Sequence, residues 1–199
     1  MSAVTEEITR EFFEALGFCV MQPRKSVASR KPKRLIEEID LIVLNPRATE
    51  HHLPERFVWE SDDLRGIRSA VVGVLGWHTD RLYASTFEQM PELLRFVEPG
   101  VMRAAERALG TDKVAKVLCL PRLAASGDLK TKSIDALKAK GIDGVISFRT
   151  VLAELVLHVD TKKNYDKSSI LQVIRLLKNY DFLKDNQLDL FGKRGRRGA

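Results

Sequence analysis

The chain of 199 residues lacks several features that assign proteins to well-known classes. It has only two cysteines, and because Cys19 and Cys119 each lie inside an apolar run, we expect two buried free thiols rather than a disulfide or a metal pair. No uninterrupted apolar run is long enough to cross a bilayer. The first residues carry acids where a signal peptide would carry bases, and the chain has no glycine-rich phosphate loop. These absences predict a cytoplasmic protein in a reducing compartment, without a membrane partner.

Two stretches of the sequence have no acidic residues, although the overall composition is ordinary. Hydrophobic residues make up 44% of the chain, enough to build a core, and the net charge is +6. Between residues 15 and 36 the chain has six bases and no acid, and after Phe191 it has four more bases and no acid. Bases segregated in this way suit a polyanion such as DNA. The alternative is a solvated loop and a solubilising tail.

Two apolar runs of strand length, within residues 36–63, carry acids that a buried strand would not tolerate. Asp40 lies inside the run 39–44, and the run 57–62 ends with Glu60 and Asp62. Side chains alternate along a strand, so Glu60 and Asp62 point the same way. If the two runs pair, Asp40 joins them, and three close carboxylates require water, many donors or a hard cation such as Mg²⁺. Alternatively, Asp40 lies at an exposed edge and the other two acids begin a loop.

The order of elements predicts an α/β fold with a mixed central sheet flanked by helices on both faces. We expect residues 1–184 to form this domain and residues 185–199 to form a flexible basic tail. Hydrophobic periodicity and the positions of glycine and proline set the boundaries. The predicted helices are 4–16, 64–77, two within 86–109, 128–140, 149–158 and 168–183, and the predicted strands are 18–21, 39–44, 57–62, 116–120 and 143–148.

This order, with acids at these places, resembles the PD-(D/E)XK nuclease superfamily, which includes restriction endonucleases and Holliday-junction resolvases. In those proteins the first helix often supplies a Glu, the second core strand an Asp, and the third core strand (D/E)-X-K. The match runs from Glu6 or Glu7 through Asp40 to Glu60, and it covers roughly the first 150 residues. The lysine position of the motif falls on Asp62, so the cation that usually orients the attacking water is replaced by an acid.

The resemblance implies a restriction-endonuclease-like fold and a magnesium-dependent DNA endonuclease or exonuclease. Its catalytic residues would be Glu7, Asp40, Glu60 and Asp62. One or two Mg²⁺ bound by Asp40, Glu60 and Asp62 would activate a water and offset charge on the phosphate. The residues expected to contact DNA are Arg30, Lys31, Lys33, Arg34 and Arg65.

A second resemblance lies in the tail. The pentapeptide Gln187, Leu188, Asp189, Leu190, Phe191 is similar to the segment by which bacterial polymerases and repair proteins dock on the sliding clamp. In that mode Leu190 and Phe191 fill an apolar cleft and Gln187 bonds in a side pocket. The alternative is that Leu188, Leu190 and Phe191 pack back onto the domain.

Three functions follow from these observations. The first is a magnesium-dependent nuclease of replication or repair, recruited by the sliding clamp. The second is a non-catalytic DNA-binding accessory protein on a degenerate nuclease fold. The third is a protein-interaction module whose basic loop binds an acidic partner. Cleavage separates the first function from the others, and the salt dependence of DNA affinity separates the second from the third.

Overall fold

A six-stranded mixed sheet forms the centre of the molecule. The computed structural model describes residues 3–23, 35–78 and 81–183. The strands are β1 (Cys19–Met21), β2 (Leu41–Leu44), β3 (Val58–Trp59), β4 (Ser69–Val74), β5 (Ala115–Leu120) and β6 (Gly144–Ser147). Their spatial order is β1-β2-β4-β5-β6-β3. β1, β2 and β4 pair antiparallel, whereas β4, β5, β6 and β3 pair parallel.

The helices connect these strands. They are α1 (Ala3–Ala15), α2 (Ala84–Gln89), α3 (Pro99–Leu109), α4 (Gly127–Ala139), α5 (Phe148–His158) and α6 (Ser169–Asn179). Three 3₁₀ helices, Leu35–Glu38, Ser61–Gly66 and Pro91–Val97, precede β2, β4 and α3. None of the helices in the described part of the chain is both long and apolar enough to cross a membrane.

Alternating side chains of the central strands divide the core into two layers. Val72 and Val117 point into a cluster with residues of α1, α5 and α6. Val71 and Leu118, one position along each strand, point into a second cluster with residues of α2, α3 and α4. The sheet is therefore covered by helices on both faces, which is why β4 and most of β5 are buried along their length. The predicted α/β class with a mixed, helix-flanked sheet is confirmed.

Several predicted elements differ from the observed ones. The predicted helix 64–77 is wrong, because its centre, Ser69–Val74, is a strand buried at every residue. Of the predicted strand 57–62 only Val58–Trp59 is part of the sheet, and Glu60 precedes a 3₁₀ helix. Cys19 is exposed, so the expectation of two buried thiols holds for Cys119 but not for Cys19. The edge strand β1 leaves the Cys19 side chain without a covering layer.

Candidate functional site

The two acid-bearing runs do not pair. β2 and β3 are far apart in the strand order, because β4, β5 and β6 lie between them. Four strand spacings separate them, or about 19 Å. The pairing that would have joined Asp40 to Glu60 is therefore wrong, and the two carboxylates do not share a site. Within residues 3–23, 35–78 and 81–183, no three His, Cys, Asp or Glu side chains form a group that could hold a metal ion.

The choice of partner for β2 has a simple physical reason. β4 offers six consecutive buried residues rich in valine, whereas β3 contributes only two residues to the sheet. Pairing β2 with β4 buries more apolar surface and satisfies more backbone groups than pairing it with β3. The third strand of the antiparallel unit is thus β4, with the sequence SAVVGV, and it contains neither an acid nor a lysine.

Asp40 lies immediately before β2 and is buried against the carboxyl end of β4. Its side chain is 3% exposed, and its Oδ2 accepts a hydrogen bond of 2.8 Å from the backbone N–H of Val74. The neighbouring thiol of Cys119 has a pKa raised well above its ordinary value, first by burial and then by the negative charge of Asp40. Asp40 therefore acts as a buried acceptor that closes the end of the β2–β4 ladder.

The adjoining positions of β4 are filled by packing. Val72 and Val74 belong to the first core cluster and are fully buried. Gly73 lies under the ring of Phe96, whose Cε1 would be 2.5 Å from a Cβ at that position. The segment opposite Asp40 is therefore occupied by valine side chains on one face and by an aromatic ring on the other.

Of the two neighbouring acids Glu6 and Glu7 in α1, Glu6 is the buried one. Glu6 is 9% exposed, and its Oε2 accepts a hydrogen bond of 2.9 Å from Nε2 of Gln22, just after β1. Glu7 is half-buried. Thr5 Oγ1 lies 3.3 Å from Nε2 of His78, which places the first turn of α1 beside the loop that follows β4.

Glu60 and Asp62 follow the carboxyl end of β3, the edge strand at the other end of the strand order from β1. Thr150 Oγ1 donates to Glu60 Oε2 at 3.0 Å, and both residues line a shallow groove with Asp62 and Glu154. Asp62 pairs with Arg65 at 2.7 Å, and both side chains are at least four-fifths exposed. The charge of the predicted DNA contact Arg65 is therefore partly neutralised by its neighbour Asp62.

The edge formed by the carboxyl ends of the parallel strands carries three arginines that sequence reasoning missed. Arg81 follows β4, Arg122 follows β5 and Arg149 follows β6, and all three are exposed. The N–H of Leu82 donates to the carbonyl of Arg122 at 2.9 Å, so Arg81 and Arg122 lie side by side. In the described part of the chain none of the three arginines forms an ion pair or a side-chain hydrogen bond.

These arginines lie where open α/β sheets usually bind ligands, outside the carboxyl ends of their strands. The Arg122 and Arg149 positions each come two residues after the paired residues Leu120 and Ser147, so adjacent strands deliver their charges to one edge. Only the arrangement of strands reveals this, because the three residues are far apart in the sequence. A base soon after each parallel strand is the signal that could have identified them.

The described residues on either side of the basic stretch 24–34 lie at the same edge. Pro23 comes just after β1, and the 3₁₀ helix Leu35–Glu38 leads into the start of β2, which is antiparallel to β1. The expected DNA contacts within this stretch, Arg30, Lys31, Lys33 and Arg34, lie outside the described residues. The same holds for residues 187–191, the segment that we expect to bind the sliding clamp.

Comparison of the chain with models of protein families, with curated proteins and with solved structures found no match.

Proposed function

We propose that this chain is a non-catalytic DNA-binding accessory protein, built on a degenerate nuclease-like scaffold and recruited by the bacterial sliding clamp. The observation that carries the proposal is β4, the third strand of the antiparallel unit, which has no acid and no lysine. In the superfamily that the sequence resembles, that strand supplies the (D/E)-X-K part of the catalytic motif.

The order of elements supports a nuclease-like scaffold. α1 is followed by an antiparallel meander of β1, β2 and β4, and helices then lead to the parallel strand β5. With β4 in the third position, Glu6 and Asp40 remain at the places where the motif has its first two acids. Both are buried and hydrogen-bonded, Glu6 to Gln22 and Asp40 to the N–H of Val74, which suits a structural role better than catalysis of hydrolysis.

Charge at the carboxyl edge supports a polyanionic ligand. Arg81, Arg122 and Arg149 are exposed and have no ionic partner within the described residues. Successive strand ends are about 4.8 Å apart, so this row of cations can contact neighbouring phosphates of one DNA strand. The bases of stretch 24–34, attached at the same edge, would extend the row. Contacts of this kind give affinity without sequence preference.

Recruitment rests on the tail. A segment that must fill a pocket on another protein works best when its anchors are flanked by polar residues. Residues 187–191 meet this condition, because Asp185 and Asn186 precede them and Lys193 and Arg194 follow closely. Clamp binding would raise the local concentration of a protein with weak, nonspecific DNA affinity.

The first experiment measures DNA binding and cleavage together. The protein with Mg²⁺ or Mn²⁺ should leave duplex, single-stranded and branched DNA intact while binding them with a steep dependence on salt. Replacing Arg81, Arg122 and Arg149 by Gln should flatten the plot of log affinity against log salt by about 2–3 units, close to 0.9 for each lost phosphate contact. Metal-dependent cleavage that Asp40→Ala removes would instead establish a nuclease.

A matched control uses Arg103→Gln with Arg107→Gln. Both residues lie in α3, whose C-terminal end leads into the amino end of β5 and hence the opposite edge of the sheet. This pair should retain the parent's salt slope. If the three-arginine variant and the control behave alike, the carboxyl edge is not the DNA surface.

A Gln variant of Arg30, Lys31, Lys33 and Arg34 should also weaken binding about equally across DNA sequences.

A further inference from the structure

Helix α6 is apolar on two faces, only one of which faces the domain. Leu171 and Ile174 belong to the first core cluster. On the other side Val173, Leu176 and Leu177 are 53%, 45% and 38% exposed. A solvent-facing helix surface normally carries charged or polar residues, so this second apolar stripe requires an explanation.

Two aromatic residues extend the stripe beyond the helix. Tyr180 is 73% exposed and Phe182 is 76% exposed, the two highest values among the large hydrophobic residues that the structure describes. Each leaves on the order of 150 Å² of its surface in water, so the pair alone approaches the size of the largest apolar patch on a typical monomer. We name Val173, Leu176, Leu177, Tyr180 and Phe182 the α6 patch.

The α6 patch is held in a fixed position. Asp181 has a φ of 59°, in the left-handed region, and it reverses the chain at the end of α6. The N–H groups of Phe182 and Leu183 then bond back to the carbonyl of Leu177, at 2.8 and 3.2 Å. Leu183 packs against the first core cluster. The exposed aromatics therefore belong to an ordered turn, and little conformational entropy is lost when a partner covers them.

The C-terminal turn of α6 is also held in place by a hydrogen bond to the rest of the domain. Lys178 is 8% exposed, and its Nζ donates a hydrogen bond of 2.6 Å to the carbonyl of Val159, just after α5. This bond attaches the last turn of α6 to the C-terminal end of α5. The α6 patch is thus a preformed surface and not a frayed helix end.

The length of chain after Leu183 limits which partner can cover the patch. Only three residues separate Leu183 from Gln187, the first residue of the clamp-binding segment. Four residue steps span at most about 14 Å. A protein that grips residues 187–191 must therefore lie close to Leu183, which is adjacent to Phe182 and six residues from Leu177.

We infer that the α6 patch is a second docking surface for the same protein that binds residues 187–191, so that the tail and the helix engage the sliding clamp together. This inference rests on the proposed recruitment. The expected complement is an apolar area on the clamp next to its peptide cleft, because no charged residue belongs to the patch. Tyr180 and Phe182 would be the main anchors, since exposed aromatics that become buried dominate most interfaces.

The experiment measures the affinity of the full chain for a purified bacterial sliding clamp. Tyr180→Ala and Phe182→Ala should each weaken binding about tenfold, and neither should lower the melting temperature appreciably, because both side chains are exposed. The matched control is Leu129→Ala, which removes a 44% exposed leucine on α4 and should leave the affinity unchanged.

A longer tether provides a second test. Inserting about ten Gly and Ser residues after Leu183 should weaken binding several-fold in the parent by lowering the effective concentration of the second contact. The same insertion should have no effect once Tyr180 and Phe182 are alanine. Additive effects of the insertion and the substitutions would overturn the inference.

The remaining outcomes separate this inference from the proposed function. If Leu190→Ala with Phe191→Ala abolishes clamp binding while the patch variants bind like the parent, the second contact is refuted and recruitment stands. If the Leu190 and Phe191 variant binds as well as the parent, recruitment itself fails. If the parent dimerises in sedimentation and Tyr180→Ala makes it monomeric, the patch is an interface between two copies of this chain, and the inference is overturned.

Discussion

Replacing Asp40 distinguishes a structural carboxylate from a metal ligand. In Asp40→Ala the N–H of Val74, at a position that is 1% exposed, loses its acceptor. An unsatisfied buried donor costs about 1–3 kcal/mol of unfolding free energy. For a chain of this size that corresponds to a melting temperature lower by about 2–12 °C. Asp40→Asn retains a side-chain oxygen that can accept the same bond, so it should lose less.

The assay is thermal unfolding of the parent and both variants with and without Mg²⁺. If Asp40 helps to bind Mg²⁺, a hundredfold excess over the dissociation constant stabilises the parent by about 2.7 kcal/mol, and Asp40→Ala loses that gain. The buried position of Asp40 and the acid-free sequence of β4 predict that Mg²⁺ shifts neither protein. A magnesium-dependent rise in the parent that disappears in Asp40→Ala would refute the structural role and restore the metal hypothesis.

Two further predictions concern packing and thiol chemistry. Gly144→Ala should destabilise the protein by several kcal/mol, because the added Cβ would overlap the ring of buried Trp59. Gly127→Ala is the control and should be tolerated, since nothing lies within 4 Å of its Cβ. Chemical unfolding measures the stability of both variants, and equal stabilities would contradict the packing argument. Near pH 8, a thiol reagent should modify Cys19 quickly and Cys119 only after unfolding, because burial raises the pKa of the Cys119 thiol. Mass spectrometry can locate the label, and rapid labelling of Cys119 would show that it is accessible.

Periodic patterns allowed the sequence to predict most helices and several strands. The spacing of apolar residues in α1 and the glycine after it located that helix, and KVLCL located β5. The same reasoning failed at Ser69–Val74, because a strand covered on both faces is apolar throughout and has no period to distinguish it from a buried helix. The valine-rich composition favoured a strand, but the flanking apolar residues made the run long enough for a helix.

The site was less predictable because it depends on which strands are neighbours. The acid at Asp40 was recognised, but its partner strand was taken to be the next apolar run and is in fact β4. Strand pairing is decided by the total surface buried across the sheet, which local patterns do not reveal. Arg81, Arg122 and Arg149 form one edge only because β4, β5 and β6 are adjacent and parallel.

The contact between Gly73 and Phe96 has a consequence for how this scaffold can evolve. An acid at Gly73 would collide with the Phe96 ring, and an acid at Val72 or Val74 would be placed within an apolar cluster. Each single substitution therefore costs stability before it can provide a metal ligand. If the chain is the non-catalytic accessory protein that we propose, a metal ligand at Gly73 would require replacement of the Phe96 ring as well, so the packing of the core opposes the gain of a metal site in β4.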